Sequence, residues 1–285
     1  MASFSETDVK ALRDKTGAGM MDVKKALTEA EGDLAKAEEL LRLKGLKTAA
    51  KREGRVASAG LLMAKIVDTP KGQKGYLVEI NSETDFVAKN EKFIAFAQEI
   101  LDAAVANDAA SVADVLAAKH PEGTIADRVV SFTGVIGEKL EIGSLNVLEG
   151  EHIDVYLHRT SPDIPPQVGV LIATDAAGAE VAHDVAIHIA AMAPAYLDEA
   201  AVPAEEIEKE RRIATELTIQ EGKPEKAVPK IVEGRLKGFF KQVTLLDQPY
   251  ARDPKQTVAQ ILQAAGATVT GFKRVRVGEA AQGAA

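Results

Sequence analysis

Apolar side chains near the start of the chain recur at intervals of three and four residues, a spacing that places them on one face of a helix. The positions that share this spacing are Met20, Val23, Leu27, Ala30, Leu34, Ala37 and Leu41. A capping box from Ser5 to Asp8 opens the first helix, and Gly17 and Gly19 separate it from the second. The pattern predicts three short helices between residues 5 and 44, packed as a compact bundle.

A basic stretch follows the predicted bundle. Residues 44–55 hold five basic side chains and one acidic one, a net charge of +4, with Gly45 and Gly54 among them. Charge runs of this kind are usually solvated. We therefore interpret the stretch as a basic linker, with contact to an acidic surface as the alternative.

The pattern then changes to the alternation and β-branched content of strands. Residues 61–67 and 76–80 flank the turn signal TPKG at 69–72 and predict a β-hairpin. Helical spacing returns over 91–106, where Phe93 and Ile100 belong to the apolar stripe. The first unit therefore consists of a hairpin followed by a helix.

The same order recurs further along the chain, which indicates an internal duplication. Strands are predicted at 153–158 and 169–174, and a helix at 180–192. Residues 141–148 and 268–277 supply one more strand to each half. The expected fold class is α+β, with two small antiparallel sheets and helices packed on them.

A charged insertion interrupts the second half of the predicted core. It runs from 203 to 246 and contains the helix break GKP at 222–224, which predicts an αα-hairpin. The predicted facing positions are Ile207, Ala214, Leu217, Val228, Ile231, Leu236 and Phe239. The predicted units are residues 1–55, residues 56–149, residues 150–202 with 247–285, and the insertion 203–246.

Composition narrows the classes of function. The 285 residues carry a formal net charge of −8, which argues against direct binding of nucleic acid, because phosphates require a cationic face. There is no cysteine, so disulfides, thiolate nucleophiles and zinc-thiolate sites are excluded. Neither a signal peptide nor a membrane span is recognisable. We expect a cytoplasmic, soluble protein without membrane contact.

The glycine-containing segment TGAGMM at 16–21 does not qualify as a phosphate-binding loop. No strand precedes it and no Gly-Lys-Ser/Thr follows it, so a turn between helices is the better interpretation. Met20 and Met21 point about 100° apart on a helix and cannot both enter a narrow apolar stripe. An exposed methionine for protein binding and a wide buried face explain the pair equally well.

Enzyme chemistry has no obvious site in this sequence. His183 and His188 diverge by about 140° on their helix, so a zinc site is not expected and no metal is assigned. A hydrolase that uses Glu83, Asp85 and His158 is the enzyme alternative, and it requires those side chains to converge in a pocket.

The segment 81–89 lies between a predicted strand and a predicted helix. Its local interpretation is a capping box from Ser82 to Asp85, with Phe86 as a core residue.

Two segments together resemble the elongation factor Ts family. They read LRDKTGAGMMDVKKAL at 12–27 and ETDFVAK at 83–89, and the final strand contains VTGF at 269–272. The resemblance extends over nearly the whole chain, although Val23 stands where many relatives carry cysteine. It implies an α+β fold with an N-terminal three-helix (UBA-like) bundle, a duplicated core of two small antiparallel sheets, and an inserted helical hairpin.

The resemblance also implies a function. A member of this family is a guanine-nucleotide exchange factor that binds elongation factor Tu in its GDP form and promotes GDP release during translation elongation. It is not an enzyme and needs no cofactor.

The contact residues that the resemblance implies fall into three groups. The resemblance does not decide the oligomeric state. The loop that disturbs the magnesium site of the partner is formed by Thr84, Asp85, Phe86 and Val87. The resemblance assigns Leu12, Met20 and Met21 to the N-terminal contact and His158 to the second half of the core. A homodimer and a monomer both remain possible, with the hairpin as a dimerisation or partner-contact element. A scaffold that binds ubiquitin-like domains through the N-terminal bundle is the non-exchange alternative.

Overall fold

A computed structural model describes residues 4–121 and 123–279. The helices are α1 (Glu6–Thr16), α2 (Met20–Glu29), α3 (Leu34–Arg52), α4 (Asp85–Ala88), α5 (Glu91–Ala106), α6 (Val112–Ala117), α7 (Ile125–Ile136), α8 (Ala179–Met192), α9 (Ala204–Gln220), α10 (Val228–Val243) and α11 (Val258–Ala265). The strands are β1 (Ala59–Thr69), β2 (Gly72–Ser82), β3 (Lys119–His120), β4 (Gly123–Thr124), β5 (Leu140–Gly150), β6 (His152–His158), β7 (Val168–Thr174), β8 (Pro249–Tyr250), β9 (Asp253–Thr257) and β10 (Val269–Arg276). The architecture is α+β, as expected.

The first three helices form the predicted bundle. The capping box between Ser5 and Asp8 opens α1, and the carboxylate of Asp33 caps α3. Val23, Leu27 and other apolar side chains fill the small core between the helices. Met20 and Leu34 belong to the apolar spacing of the sequence but are exposed, and each is the first residue of its helix.

The third helix is longer than the sequence pattern suggested. It continues to Arg52, so most of the stretch interpreted as a basic linker is helical. Ala49, Ala50 and the lysines at 44, 47 and 51 favour helix, and their preference outweighs that of Gly45 against it. At Gly45 the helix packs against Gly134 of α7, which ties α3 to the first half of the core.

The first sheet has the strand order β1-β2-β5, with every pair antiparallel. The predicted hairpin is β1 and β2, joined at Thr69–Gly72. Side chains of one sheet face pack against α5, α6 and α7, with Phe93, Phe96 and Ile100 fully buried. The predicted helix 91–106 is therefore confirmed, and its apolar face packs against the first sheet.

The second sheet repeats this topology in the order β10-β7-β6, again antiparallel. In both halves a hairpin comes first, helices follow, and a later strand pairs with the second strand of the hairpin. This shared order is what an internal duplication would produce. Helix α8 covers the outer face of the second sheet.

The two sheets pack face to face, so the core has four layers. Helices α5, α6 and α7 form the first layer, the two sheets form the second and third, and α8 with α11 forms the fourth. Leu62, Leu77, Ile153 and Leu171 are buried between the sheets.

In the described residues, no helix is both long and apolar enough to cross a membrane.

Helices α9 and α10 form the predicted hairpin and pack through Ala214, Val232 and Leu236. The register differs from the prediction, because Leu217 is exposed and the neighbouring Thr218 is buried. The hydroxyl of Thr218 donates to the carbonyl of Ala214, so a polar residue can occupy this position without an unpaired group. The predicted boundaries of the four units remain predictions.

Candidate functional site

The loop after β2 turns at once into the short helix α4. Thr84 is the N-cap, and its hydroxyl accepts from the backbone N–H of Val87. Ser82 donates its hydroxyl to the carbonyl of Thr84 at 2.9 Å. The capping box from Ser82 to Asp85 that the local interpretation offered is therefore wrong. Ser82 still belongs to β2 and is too early in the chain to cap the helix.

Two glutamates, Glu83 and Glu138, hold the loop between β2 and α4 in place through hydrogen bonds. The carboxylate of Glu138 accepts from the hydroxyl of Thr84 at 2.7 Å and from its backbone N–H at 3.0 Å. The carboxylate of Glu83 accepts from the backbone N–H of Lys139 at 2.7 Å and from the guanidinium of Arg52 at 3.0 Å. The hydrogen bond from the Lys139 N–H lowers the pKa of Glu83, and the positive charge of Arg52 lowers it further. The loop is thus pinned to the α7–β5 connection and to the end of α3.

Phe86 lies at the outer side of this pinned loop. Its side chain is 73% exposed, whereas Ala88, two residues later, is buried in the first half of the core. The ammonium of Lys89 lies 4.8 Å from the centre of the Phe86 ring, a cation–π contact. A single exposed apolar side chain is common on protein surfaces, but a ring held on a fixed support can enter a partner without first ordering its loop. The local interpretation of Phe86 as a core residue is wrong.

Asp85 and Val87 flank the ring differently. Asp85 is exposed, and Val87 is half-buried against the first-half core. Of the four predicted loop residues, Asp85 and Phe86 therefore present their side chains outward, while Thr84 and Val87 hold the loop in place.

The turn between α1 and α2 presents a second apolar surface. Met20 is 50% exposed and Met21 is 65% exposed, so both methionines face solvent and the wide buried face is excluded. Gly17 has a φ of +68° and ends α1 in the left-handed conformation. Leu12, which the resemblance placed in this contact, is instead buried in the core of the bundle. Its side chain faces α2 and α3 and is not available to a partner in this structure.

His158 ends β6 and is exposed. Its Nδ1 lies 2.9 Å from the hydroxyl of Tyr156, whose ring stands edge-on to His183. His183 in turn contacts the carboxylate of Asp154 at 3.0 Å. The three aromatic side chains form one surface patch on β6 and α8.

Glu83 and His158, two residues of the hydrolase alternative, are engaged with other groups. In the described chain, Glu83 bonds to Arg52 and Lys139, and His158 bonds to Tyr156. No hydrogen bond joins Glu83, Asp85 and His158 to one another in residues 4–121 and 123–279. The same residues contain no group of three His, Asp or Glu side chains that could hold a metal ion. The geometry supports a contact surface.

Sequence reasoning missed the supports of the loop. Arg52, Glu138 and Lys139 lie 31 to 56 residues from their partners, so no local pattern connects them. Arg52 was placed in a solvated charge run, and its actual partner, Glu83, was recognisable only from the fold.

Comparison with known proteins yields a family and close relatives. The family model described as "Elongation factor TS" matches residues 83–279. Elongation factor Ts of Beutenbergia cavernae is 55% identical over 280 residues, covering 98% of this chain and 100% of that protein. Elongation factor Ts of Micrococcus luteus is 54% identical over 281 residues, covering 98% and 100%. Elongation factor Ts of Bifidobacterium longum is 50% identical over 279 residues, covering 98% and 99%.

Proposed function

We propose, because this chain belongs to the elongation factor Ts family, that it is a guanine-nucleotide exchange factor for elongation factor Tu. Its relatives are translation elongation factors, and the family implies elongation factor Tu as partner. The proposal adds that the chain binds the GDP form and speeds GDP release. The cytoplasmic location expected from the sequence is part of the same proposal.

The observation that supports this proposal is the exposed Phe86 on its pinned loop. An apolar ring with 73% exposure gains free energy by entering another protein, and the bonds of Glu83 and Thr84 keep the loop from folding back over it. The ring of Phe86, the proposed wedge, is therefore already exposed in the absence of a partner.

The proposed target of the wedge is the magnesium site of the GTPase. In such enzymes the metal bridges nucleotide phosphates and protein, so a disturbed coordination shell weakens the hold on GDP. Phe86 separates the elements around the site, and the carboxylate of Asp85 perturbs the hydrogen bonds around the metal. No covalent chemistry is required of this chain.

Two further surfaces complete the proposed contact. Met20 and Met21 offer flexible apolar side chains to the nucleotide-binding domain of the partner. His158 offers a ring nitrogen from the second half of the core. Leu12 is buried in the core of the bundle, so the proposed contact does not include it.

Thermodynamic linkage between GDP binding and exchange-factor binding explains how the exchange factor is released for another cycle. If this chain and GDP each weaken the binding of the other, the factor by which they do so must be equal in both directions. An excess of nucleotide therefore displaces the exchange factor, which can then act on another GTPase molecule.

The hairpin of α9 and α10 remains the proposed dimerisation or partner-contact element. Ile213, Leu217 and Ile219 are exposed on α9. Sedimentation at micromolar concentrations distinguishes a homodimer from a monomer.

The test of the proposed function is the release of fluorescent GDP from elongation factor Tu, followed by stopped flow. Catalytic amounts of this chain are expected to accelerate release, with the effect reversed by excess GDP. A release rate equal to that of the GTPase alone would refute the proposal and leave the scaffold alternative, which a pull-down with ubiquitin-like domains would test.

A further inference from the structure

A cavity of about 340 Å³ lies beside β1, the edge strand of the first sheet. Its walls are mostly apolar and come from β1, from α5, from the end of β6 and from the connection 159–166. The apolar lining includes Leu61, Met63, Ile94, Leu157, Ile164 and Pro165. A cavity of this size and lining can receive a large apolar group.

The connection 159–166 is fixed against β1, so the cavity exists before binding. The backbone N–H of Leu62 donates to the carbonyl of Pro166 at 3.1 Å. The side-chain amide of Gln167 donates to the carbonyl of Gly60 at 2.9 Å and to that of Pro165 at 3.0 Å. These bonds use part of the outer edge of β1 and hold the wall in place. A preformed cavity lowers the ordering cost of binding.

The rim of the cavity carries Lys89 and Arg159, both exposed, with Asp163 as the one carboxylate in the lining. A carboxylate of a partner that reached this rim would meet two cations, which favours an acidic approach over a basic one.

The cavity lies next to one of the two core contacts of the proposed function. Lys89 lies against the ring of Phe86, and Leu157 and Arg159 are the chain neighbours of His158. Leu157 lies between the two sheets, whereas Tyr156 packs toward α8 and contacts His158, so His158 is on the other face of β6. The cavity therefore adjoins the proposed contact surface at Lys89, beside Phe86.

We propose that this cavity receives an apolar side chain of the GTPase partner, with a neighbouring carboxylate of the partner paired to Lys89 and Arg159. The inference rests on the proposed function and deepens it. Phe86 projects into the partner, whereas the cavity accepts a side chain from it. Apolar anchors in enclosed pockets carry a large share of binding energy. The cavity accordingly contributes affinity, and the wedge contributes the acceleration of GDP release.

Two substitutions test the cavity. Gln98→Trp places a large ring at its opening, from an exposed position on α5. Arg159→Glu reverses one rim charge. The dissociation constant for elongation factor Tu with GDP, and the GDP release rate at saturating exchange factor, are measured for each. Each variant is expected to weaken affinity roughly tenfold or more and to keep the saturating rate within about twofold of the wild type.

Matched controls separate the cavity from general effects. Ala106→Trp adds the same ring to an exposed position at the end of α5, and Lys255→Glu makes the same charge reversal on β9. Both controls are expected to bind like the wild type. Thermal unfolding of all four variants verifies that each is folded.

Wild-type affinity for both Gln98→Trp and Arg159→Glu would overturn the cavity proposal while leaving the exchange activity intact. A changed sedimentation coefficient with unchanged GTPase affinity would assign the cavity to a second copy of this chain and would also overturn it. Failure of the wild type to accelerate GDP release is a different result, because it refutes the proposed function itself.

Discussion

Phe86 and Phe93 lie seven positions apart and have opposite surroundings. Phe86 is 73% exposed on the pinned loop, and Phe93 is fully buried in α5 against the first sheet. The same substitution at these two positions therefore separates binding from stability.

Phe86→Ala is expected to lower the acceleration of GDP release by about tenfold or more, because it removes the proposed wedge. It should change the free energy of unfolding by less than about 1 kcal/mol, since little surface is uncovered. Phe93→Ala, the matched control, should cost about 3 to 5 kcal/mol. Urea denaturation and stopped-flow GDP release measure the two effects. A large loss of stability in Phe86→Ala would show that the ring is a packing residue.

His188 is a buried histidine held in its neutral form. Its Nδ1 accepts from the backbone N–H of Ala251 at 3.1 Å, and its Nε2 lies 2.8 Å from the side-chain oxygen of Gln248. Nε2 must carry the proton, because Nδ1 already faces a donor. Burial lowers the pKa of His188, against a smaller opposing effect of Gln248.

This geometry predicts a loss of stability in acid. The folded state binds the proton of His188 less readily than the unfolded state, whose pKa is about 6.5. The contribution of neutral His188 is fully present above that value and is lost as the pH falls below it. Urea denaturation at pH 7.5 and 5.5 should show lower stability at pH 5.5 and a weaker pH dependence in His188→Gln. An unchanged pH dependence in the variant would assign the effect to other groups.

At the scale of elements, α3 and α7 approach through two glycines. A Cβ atom built on Gly134 would lie 2.4 Å from the Cα of Gly45, whereas one built on Gly45 would lie 3.7 Å from the Cα of Gly134. The contact is thus asymmetric, although both residues are glycines within helices.

Gly134→Ala is expected to push α3 away from α7 and to destabilise the protein by about 1 to 3 kcal/mol. Gly45→Ala is the control, since its methyl group meets an ordinary contact distance and replaces a poor helix former. It should be neutral or stabilising by up to about 1 kcal/mol. Thermal and urea unfolding compare the two. Equal effects would mean that the helices do not cross at these residues.

At the scale of the whole molecule, a buried carboxylate joins the two halves of the core. Glu79 of β2 is 4% exposed and accepts from the backbone N–H of Gly278, just after β10, at 2.8 Å. The same carboxylate accepts from the side chain of Asn81 at 2.9 Å and from Ser144 at 3.2 Å. Residues 199 positions apart in the chain are thereby connected.

Glu79→Ala should remove the acceptor that Gly278, Asn81 and Ser144 share, and of these donors Asn81 is buried. Loss of a hydrogen bond to a charged group, or an unsatisfied buried donor, costs about 1 to 3 kcal/mol, so the free energy of unfolding should fall by about that amount. Glu233→Ala, an exposed glutamate on α10, is the control and should change stability by less than about 0.5 kcal/mol. Urea denaturation measures both. A Glu79→Ala variant as stable as the control would show that water replaces the carboxylate.

Local patterns predicted most of the elements of this molecule. The hairpin of β1 and β2, helix α5 and the paired strands of the second half follow from periodicity and turn residues, because a buried face imposes its period on the sequence. Helices α6, α7 and α11 were not predicted. The end of α3 was misjudged, because charged residues are compatible with both a helix and a linker.

The sequence by itself determined the family and the order of the main strands and helices, and it singled out the segment at 83–89 for the proposed contact. These follow from residues that are neighbours in the chain. The tertiary structure alone decided that Phe86, Met20 and Met21 are exposed and that Leu12 is buried. It alone brought Arg52 and Glu138 to the loop at 83–89, and the connection 159–166 to β1. The physical reason is that burial and long-range hydrogen bonds depend on how separate elements pack, and no local spacing encodes that packing.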